Sequence, residues 1–148
     1  MPDYEGRCGC GASRLALSLP KPLQDYTPRR CDCDYCLVRE GIYLSDSRGE
    51  AVIHSSRPLR EERQGSGTAR MLLCAACGDL LAAAALLSGG LRGAVRAPLL
   101  DDAQCLPAPE DVSPKLLGVD DKQTRWSASW LALRLDDGRA SQDFARAG

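Results

Sequence analysis

Residues 6–19 read Gly6-Arg7-Cys8-Gly9-Cys10-Gly11-Ala12-Ser13-Arg14-Leu15-Ala16-Leu17-Ser18-Leu19. Two cysteines in a glycine-rich turn lead straight into an alternating apolar run that stops at Pro20. Alternation with period two is the mark of a half-buried strand, so the stretch predicts a strand leaving a metal-binding knuckle. The same grammar recurs downstream, where the short apolar run 69–73 delivers Cys74-Ala75-Ala76-Cys77 and then Gly78. Between the two lies a third cluster, Cys31-Asp32-Cys33-Asp34-Tyr35-Cys36. Short strands punctuated by glycine and proline predict a mostly β domain with little helix.

Seven of the eight cysteines sit in these clusters, one short of two complete zinc tetrahedra. Structural zinc is closed by four protein ligands, whereas catalytic zinc keeps three and leaves a position for water or substrate. The count therefore points to one closed site and one open one. Cys8, Cys10, Cys74 and Cys77 can form a compact four-sulfur site that ties two distant strands together and closes a long loop. Cys31, Cys33 and Cys36 come from one short segment and can face a single ion. His54 or Cys105 would close that second site, and water or an exogenous thiol would leave it open. A single structural zinc with spare thiols, or iron–sulfur ligation, accounts for the same clusters in another way. Lone Cys105 reads as a small core residue, and His54, the only histidine, as a structural residue on a strand.

Composition narrows the class. A chain of 148 residues fits one domain, placed at 1–135 with a loose tail at 136–148. Aromatic residues make up only 5% and Phe144 is the single phenylalanine, so the core must be built from Leu, Ala and Val and gains from metal staples. A structural zinc contributes about 10–16 kcal/mol of apparent binding free energy, against a typical net stability of about 5–15 kcal/mol. The net charge is −1, with 19 basic and 20 acidic residues and no basic stripe, which argues against nucleic acid as a partner. The densest basic stretch, 57–70, contains Glu61 and Glu62 and reads as a solvated loop. The N-terminus is acidic where a secretory leader would be basic, and the apolar stretch 71–87 is broken by Gly78 and Asp79, so no membrane segment is expected. A cytoplasmic, reducing setting favours metal over disulfides.

Elsewhere, Ile42-Tyr43-Leu44 and Ala51-Val52-Ile53-His54 flank the turn Ser47-Arg48-Gly49 and read as a hairpin. Residues 80–87 have helix-forming composition but strand length, and are assigned to a strand with 94–100 as its returning partner. The proline-rich stretch after Pro98 reads as a loop. Trp126 and Trp130 stand at helical spacing within 120–135 and are read as capping the core.

The strings Gly6-Arg7-Cys8-Gly9-Cys10-Gly11-Ala12-Ser13-Arg14, Cys31-Asp32-Cys33-Asp34-Tyr35-Cys36 followed by Gly41, and Leu73-Cys74-Ala75-Ala76-Cys77-Gly78 resemble the glutathione-dependent formaldehyde-activating enzyme and centromere protein V family. All seven motif cysteines stand in that family's order, and the likeness spans about residues 5–102. The resemblance implies a small β-tent domain with two zinc ions, Cys8, Cys10, Cys74 and Cys77 holding the structural one and Cys31, Cys33 and Cys36 the catalytic one. It also supports the strand assignment of 80–87. The chain departs from the family pattern at Leu37-Val38, where basic residues are usual, and at Leu73, where an aromatic is usual.

The activity implied is a carbon–sulfur lyase reaction, the addition of glutathione's thiol to formaldehyde or the reverse cleavage of S-hydroxymethylglutathione. Such chemistry needs a thiolate beside an electrophilic carbon at neutral pH, which a thiolate-ligated zinc supplies by capturing and orienting the thiol. Asp32, Asp34, Tyr35 and Glu40 are candidate proton relays, and Arg29, Arg30 and Arg39 candidate partners for a glutathione carboxylate. A non-catalytic zinc-stabilised binding module and a thiol redox or metal-handling protein are the rival readings.

Overall fold

Why a chain so poor in aromatics folds as a sheet is visible in a computed structural model, which describes residues 2–63, 69–87, 90–113 and 118–138. The predicted first strand is β2 (Ser13–Ser18), with Ser13, Leu15 and Leu17 buried and the residues between them facing outward. It pairs antiparallel with β1 (Asp3–Arg7) on one side and β5 (Glu50–Ser55) on the other. The remaining elements follow in chain order as β3 (Arg29–Cys31), α1 (Asp34–Leu37), β4 (Ile42–Leu44), β6 (Arg60–Arg63) and β7 (Arg70–Leu73). Then come β8 (Leu80–Leu87), β9 (Gly90–Arg96), β10 (Glu110–Val112), α2 (Val119–Ser129) and β11 (Leu131–Asp136). The fold is mostly β, as the alternating runs predicted. No helix among the described residues is long and apolar enough to cross a membrane.

The branch point is β9. Its one edge carries β8, then β7, then β6. Its other edge is shared, with Arg92 and Gly93 pairing β11 while Val95 and Arg96 pair β4. From β11 the sheet continues through β5 and β2 to β1, and from β4 through β3 to β10. Two wings thus diverge from one strand. The main core between them contains Leu15, Leu17, Leu19, Ile53, Leu81 and Leu131, each at most 1–2% exposed. A second cluster of Ala83, Ala85, Ala94 and Trp130 lies on the opposite face of β8 and β9, because alternate residues of a strand point to opposite faces.

Four expectations change. Residues 42–44 and 51–54 do not form a hairpin: β4 joins β3 and β9, while β5 joins β2 and β11. The intruder is β11, which runs parallel to β5 from Ala132 opposite Glu50 to Asp136 opposite His54. Trp126 and Trp130 were read at helical spacing within 120–135, but α2 stops at Ser129, and Trp130 donates its N–H to the Trp126 carbonyl as the chain turns into β11. Within the stretch 57–70, expected as a loop, Arg60–Arg63 forms β6 against β7 and Arg70 is buried with its guanidinium 3.0 Å from Glu61. The stretch after Pro98 is not all loop, since β10 pairs parallel with β3. The turn residues Gly65-Ser66-Gly67, Ser88 and Gly89, and the tail beyond Gly138, lie outside the described residues. Asp137 is buried, and its Oδ2 accepts the Leu59 N–H at 3.0 Å.

Candidate functional site

The two knuckles are built alike. Gly11 after Cys10 and Gly78 after Cys77 both have φ of 79°, a left-handed conformation that costs an L-residue with a side chain free energy and costs glycine almost none. The turn brings Cys8 to Cys10, with sulfurs 3.5 Å apart, and Cys10 to Cys74 at 3.8 Å. Asp79 locks one knuckle to the other by accepting the Gly9 N–H at 2.6 Å. Thiols of Cys8, Cys10, Cys74 and Cys77 all lie within 4.8 Å of one another.

Those separations test the site against a metal. Sulfurs at about 2.3 Å from a tetrahedral zinc stand about 3.8 Å apart, close to the observed edges, and far from the sulfur–sulfur bond of a disulfide at about 2.0 Å. All eight cysteines are free. The Ser13 N–H points at Cys8 Sγ at 3.4 Å, the kind of donor that steadies a thiolate ligand. Burial raises the Cys74 thiol, but hydrogen bonds from Ser13 and from the N–H groups of Cys77 and Ala76 outweigh it and hold the thiol below its ordinary range. The four-cysteine group fits a metal ion and is complete.

The second group is held differently. β3 ends at Cys31, and Cys33 caps α1, its Sγ accepting the Cys36 N–H at 3.4 Å. The chain then folds back so tightly that a Cβ on Gly41 would lie 2.5 Å from Cys36 Cβ. Gly41 donates its N–H to the Cys36 carbonyl at 2.8 Å and its carbonyl accepts the Cys31 N–H at 3.0 Å. Thiols of Cys31, Cys33 and Cys36 lie within 4.8 Å of one another, the first two 3.4 Å apart. This group too can hold a metal ion, with three sulfurs. The hydrogen bond between Cys36 and Cys31 lowers the Cys31 thiol and raises that of Cys36.

Neither proposed fourth ligand joins the triple. His54 is exposed on β5, with Nδ1 2.9 Å from Asp136 Oδ2. Cys105, expected in the core, is exposed at the end of a 3-10 turn, Ala103–Cys105, that carries its side chain outward. The neighbour that does approach is Tyr43, whose hydroxyl stands 3.1 Å from Cys36 Sγ. Burial and the adjoining Cys36 push that phenol well above its ordinary range.

Beside the triple a cavity of about 830 Å³ opens against α2, lined also by residues of β3, α1, β4, β7, β8, β9 and β10. Its sulfur end is Cys31, Cys33 and Cys36, and Arg29, Lys122 and Arg125 supply positive charge. Trp126 and Trp130 stack with ring centroids 4.4 Å apart and an interplanar angle of 12°, and both line the cavity. They thus cap the second cluster, as read from their spacing, and also wall the site.

Of the candidate relays and anion partners, the fold selects some. Arg29, Asp34 and Tyr35 line the cavity. Arg30 pairs with Asp111 at 3.1 Å, Arg39 lies over the Tyr35 ring and donates to the Tyr35 carbonyl, and Glu40 sits 3.4 Å from Arg96. Asp32 accepts from the Ser113 hydroxyl, and Tyr35 donates to Glu62 Oε1 at 2.7 Å. Tyr43, Lys122 and Arg125 were missed. The first is in an apolar triplet that shows no sign of its sulfur neighbour, whereas Lys122, Arg125, Trp126 and Ser129 recur at helical spacing and could have been read as one face.

No family model matches the chain, and no curated relative matches it. Among solved structures, a crystal structure of a Rhodobacter sphaeroides protein that carries no functional name is similar at 22% identity and a TM-score of 0.53, covering 73% of this chain and 99% of that one. The likeness is one of fold; the cysteine clusters able to hold metal ions are observed in this chain.

Proposed function

We propose that the protein is a zinc-dependent carbon–sulfur lyase acting on a glutathione-type thiol adduct, forming or cleaving S-hydroxymethylglutathione or a close analogue. The observation that carries the proposal is the contrast between the two cysteine groups. One is a complete set of four thiols, and the other has three thiols facing a cavity of about 830 Å³. Three protein ligands and an accessible position are what a metal site needs to act on a substrate.

Cys31, Cys33 and Cys36 would hold the ion, which would offer a position for a further thiol as thiolate at neutral pH. The chain's own residues supply the rest. Arg29, Lys122 and Arg125 offer cationic groups suited to the carboxylates of a tripeptide thiol, and fix its sulfur toward the triple. Tyr43 keeps its proton beside Cys36 and orients that sulfur. The apolar wall limits water around the adduct. The cysteine order, which resembles the formaldehyde-activating family, supports the same reading.

The test is cobalt substitution. Glutathione added to the dicobalt protein should change the thiolate charge-transfer absorption of one ion, and the protein should accelerate exchange between formaldehyde, glutathione and their adduct as followed by NMR. An unchanged spectrum with no acceleration overturns the proposal and leaves a metal-stabilised binding module.

A further inference from the structure

The cavity has an apolar wall for which a one-carbon adduct offers no counterpart. S-Hydroxymethylglutathione is polar throughout: a tripeptide with two carboxylates and an ammonium, ending in a hydroxymethyl group. The cationic side chains Arg29, Lys122 and Arg125 match the first part, and the three thiols match the sulfur. Nothing in that molecule matches Met71, Ala83, Ala94, Val112 and the stacked tryptophans, which line the same cavity.

The apolar part of the cavity lining has a definite origin. Ala83 on β8 and Ala94 on β9 are register partners directly opposite one another, and both face the cavity. Strands usually carry β-branched or aromatic residues at such positions. Two methyl groups leave the floor low, and α2 sets Trp126 across it. The neighbours Ala82 and Ala84 point the other way into the main core, so small side chains at 83 and 94 shape the site and not the core.

We infer that the site takes thiol adducts whose electrophile-derived half carries an apolar chain or ring, bound against Trp126 and the Ala83–Ala94 floor while the thiol's carboxylates meet Arg29, Lys122 and Arg125. This rests on the lyase reading and names its substrate class. The reaction balances without a further reagent: in R–CH(OH)–S–R′ the carbon–sulfur bond breaks with its electron pair on sulfur, the hydroxyl oxygen forms the carbonyl, and its proton ends on the thiol, giving R–CHO and R′–SH.

The experiment uses stable thioethers as probes, S-methyl, S-butyl and S-hexyl glutathione, titrated into the zinc-loaded protein by calorimetry with tryptophan fluorescence as a second readout. Each buried methylene strengthens binding about fourfold, so the hexyl probe, with five more methylenes, should bind up to about a thousand times more tightly than the methyl one and should quench tryptophan emission. Ala83→Leu, which fills the floor, should flatten the series. Because a leucine there crowds Trp130, Trp126→Ala serves as an independent variant and should flatten it too. Equal affinity across the series, or a rising series that both variants leave intact, overturns the inference without touching the lyase reading. A rising series in a protein that turns over no thiol adduct upholds the pocket and overturns the lyase reading alone. Failure of every probe to bind overturns both.

Discussion

Replacing Gly41 with alanine should empty one metal site and spare the other. The alanine Cβ would lie 2.5 Å from Cys36 Cβ and 3.0 Å from both Cys36 Cα and Sγ. Restoring an ordinary contact of 3.4 Å at the nearest atom requires a shift of about 0.9 Å. These three atoms belong to the backbone and to a short buried side chain, so no flexible side-chain end can absorb it. Metal–ligand distances tolerate only about 0.2 Å, and overpacking of this kind costs about 1–3 kcal/mol. The variant should therefore remain folded, held by the four-cysteine site, while native mass spectrometry shows one zinc per chain in place of two. Gly118→Ala, where nothing lies within 4 Å of the added atom, is the control and should keep both ions. A Gly41→Ala protein that retains two zinc ions with unchanged affinity would refute the reasoning about how the triple is held.

Cys74→Ser should lower thermal stability far more than Cys33→Ser, because only the first belongs to the group that ties β1 and β2 to β7 and β8; equal losses in a melting experiment would contradict the division of labour. Leu131→Ala, at a position fully buried between β5 and β9, should cost about 2–5 kcal/mol in denaturant unfolding, and a loss below 1 kcal/mol would place β11 outside the core. Tyr26 donates to Asp46 Oδ2 at 2.6 Å, and burial followed by that carboxylate raises its pKa above the ordinary value. The folded state therefore holds the phenolic proton more tightly than the unfolded one, so the advantage of the wild type over Tyr26→Phe, about 1.5–3 kcal/mol, is full below about pH 10 and falls as the pH rises further; a gap that widens with alkali would have the wrong sign. His54→Ala and Cys105→Ser should each leave the zinc content at two by mass spectrometry, and loss of an ion in either would identify a ligand that the geometry excludes.

What was legible in the chain was local. Leu15, Leu17 and Leu19 alternate with outward residues, and glycine follows each cysteine pair, so strand and knuckle could be read directly, as could the three cysteine groups. What was not legible depends on partners far away in sequence. β11 pairs parallel with β5, and a parallel pairing has no turn between its strands to announce it. Its residues Leu131-Ala132-Leu133 follow α2 directly, and the helical spacing of Trp126 and Trp130, the second already beyond the helix end, masked the change of period. The supposed hairpin of β4 and β5 failed for the same reason, since the turn at Gly49 is real, with its N–H donated to the Asp46 carbonyl, but leads to two different wings. At the site, the three thiols were recognisable from spacing alone, whereas only the fold brings the Tyr43 hydroxyl to Cys36 and the cations of α2 to the same cavity.

The most direct measurement is zinc X-ray absorption on the fully loaded protein before and after addition of glutathione. Seven clustered thiols shared by two ions predict an average of 3.5 sulfurs per zinc with one light-atom ligand at the second site, rising to 4 when the added thiol binds. An average that does not move on adding glutathione, or that already stands at 4 without it, would contradict the open three-cysteine site on which the account depends.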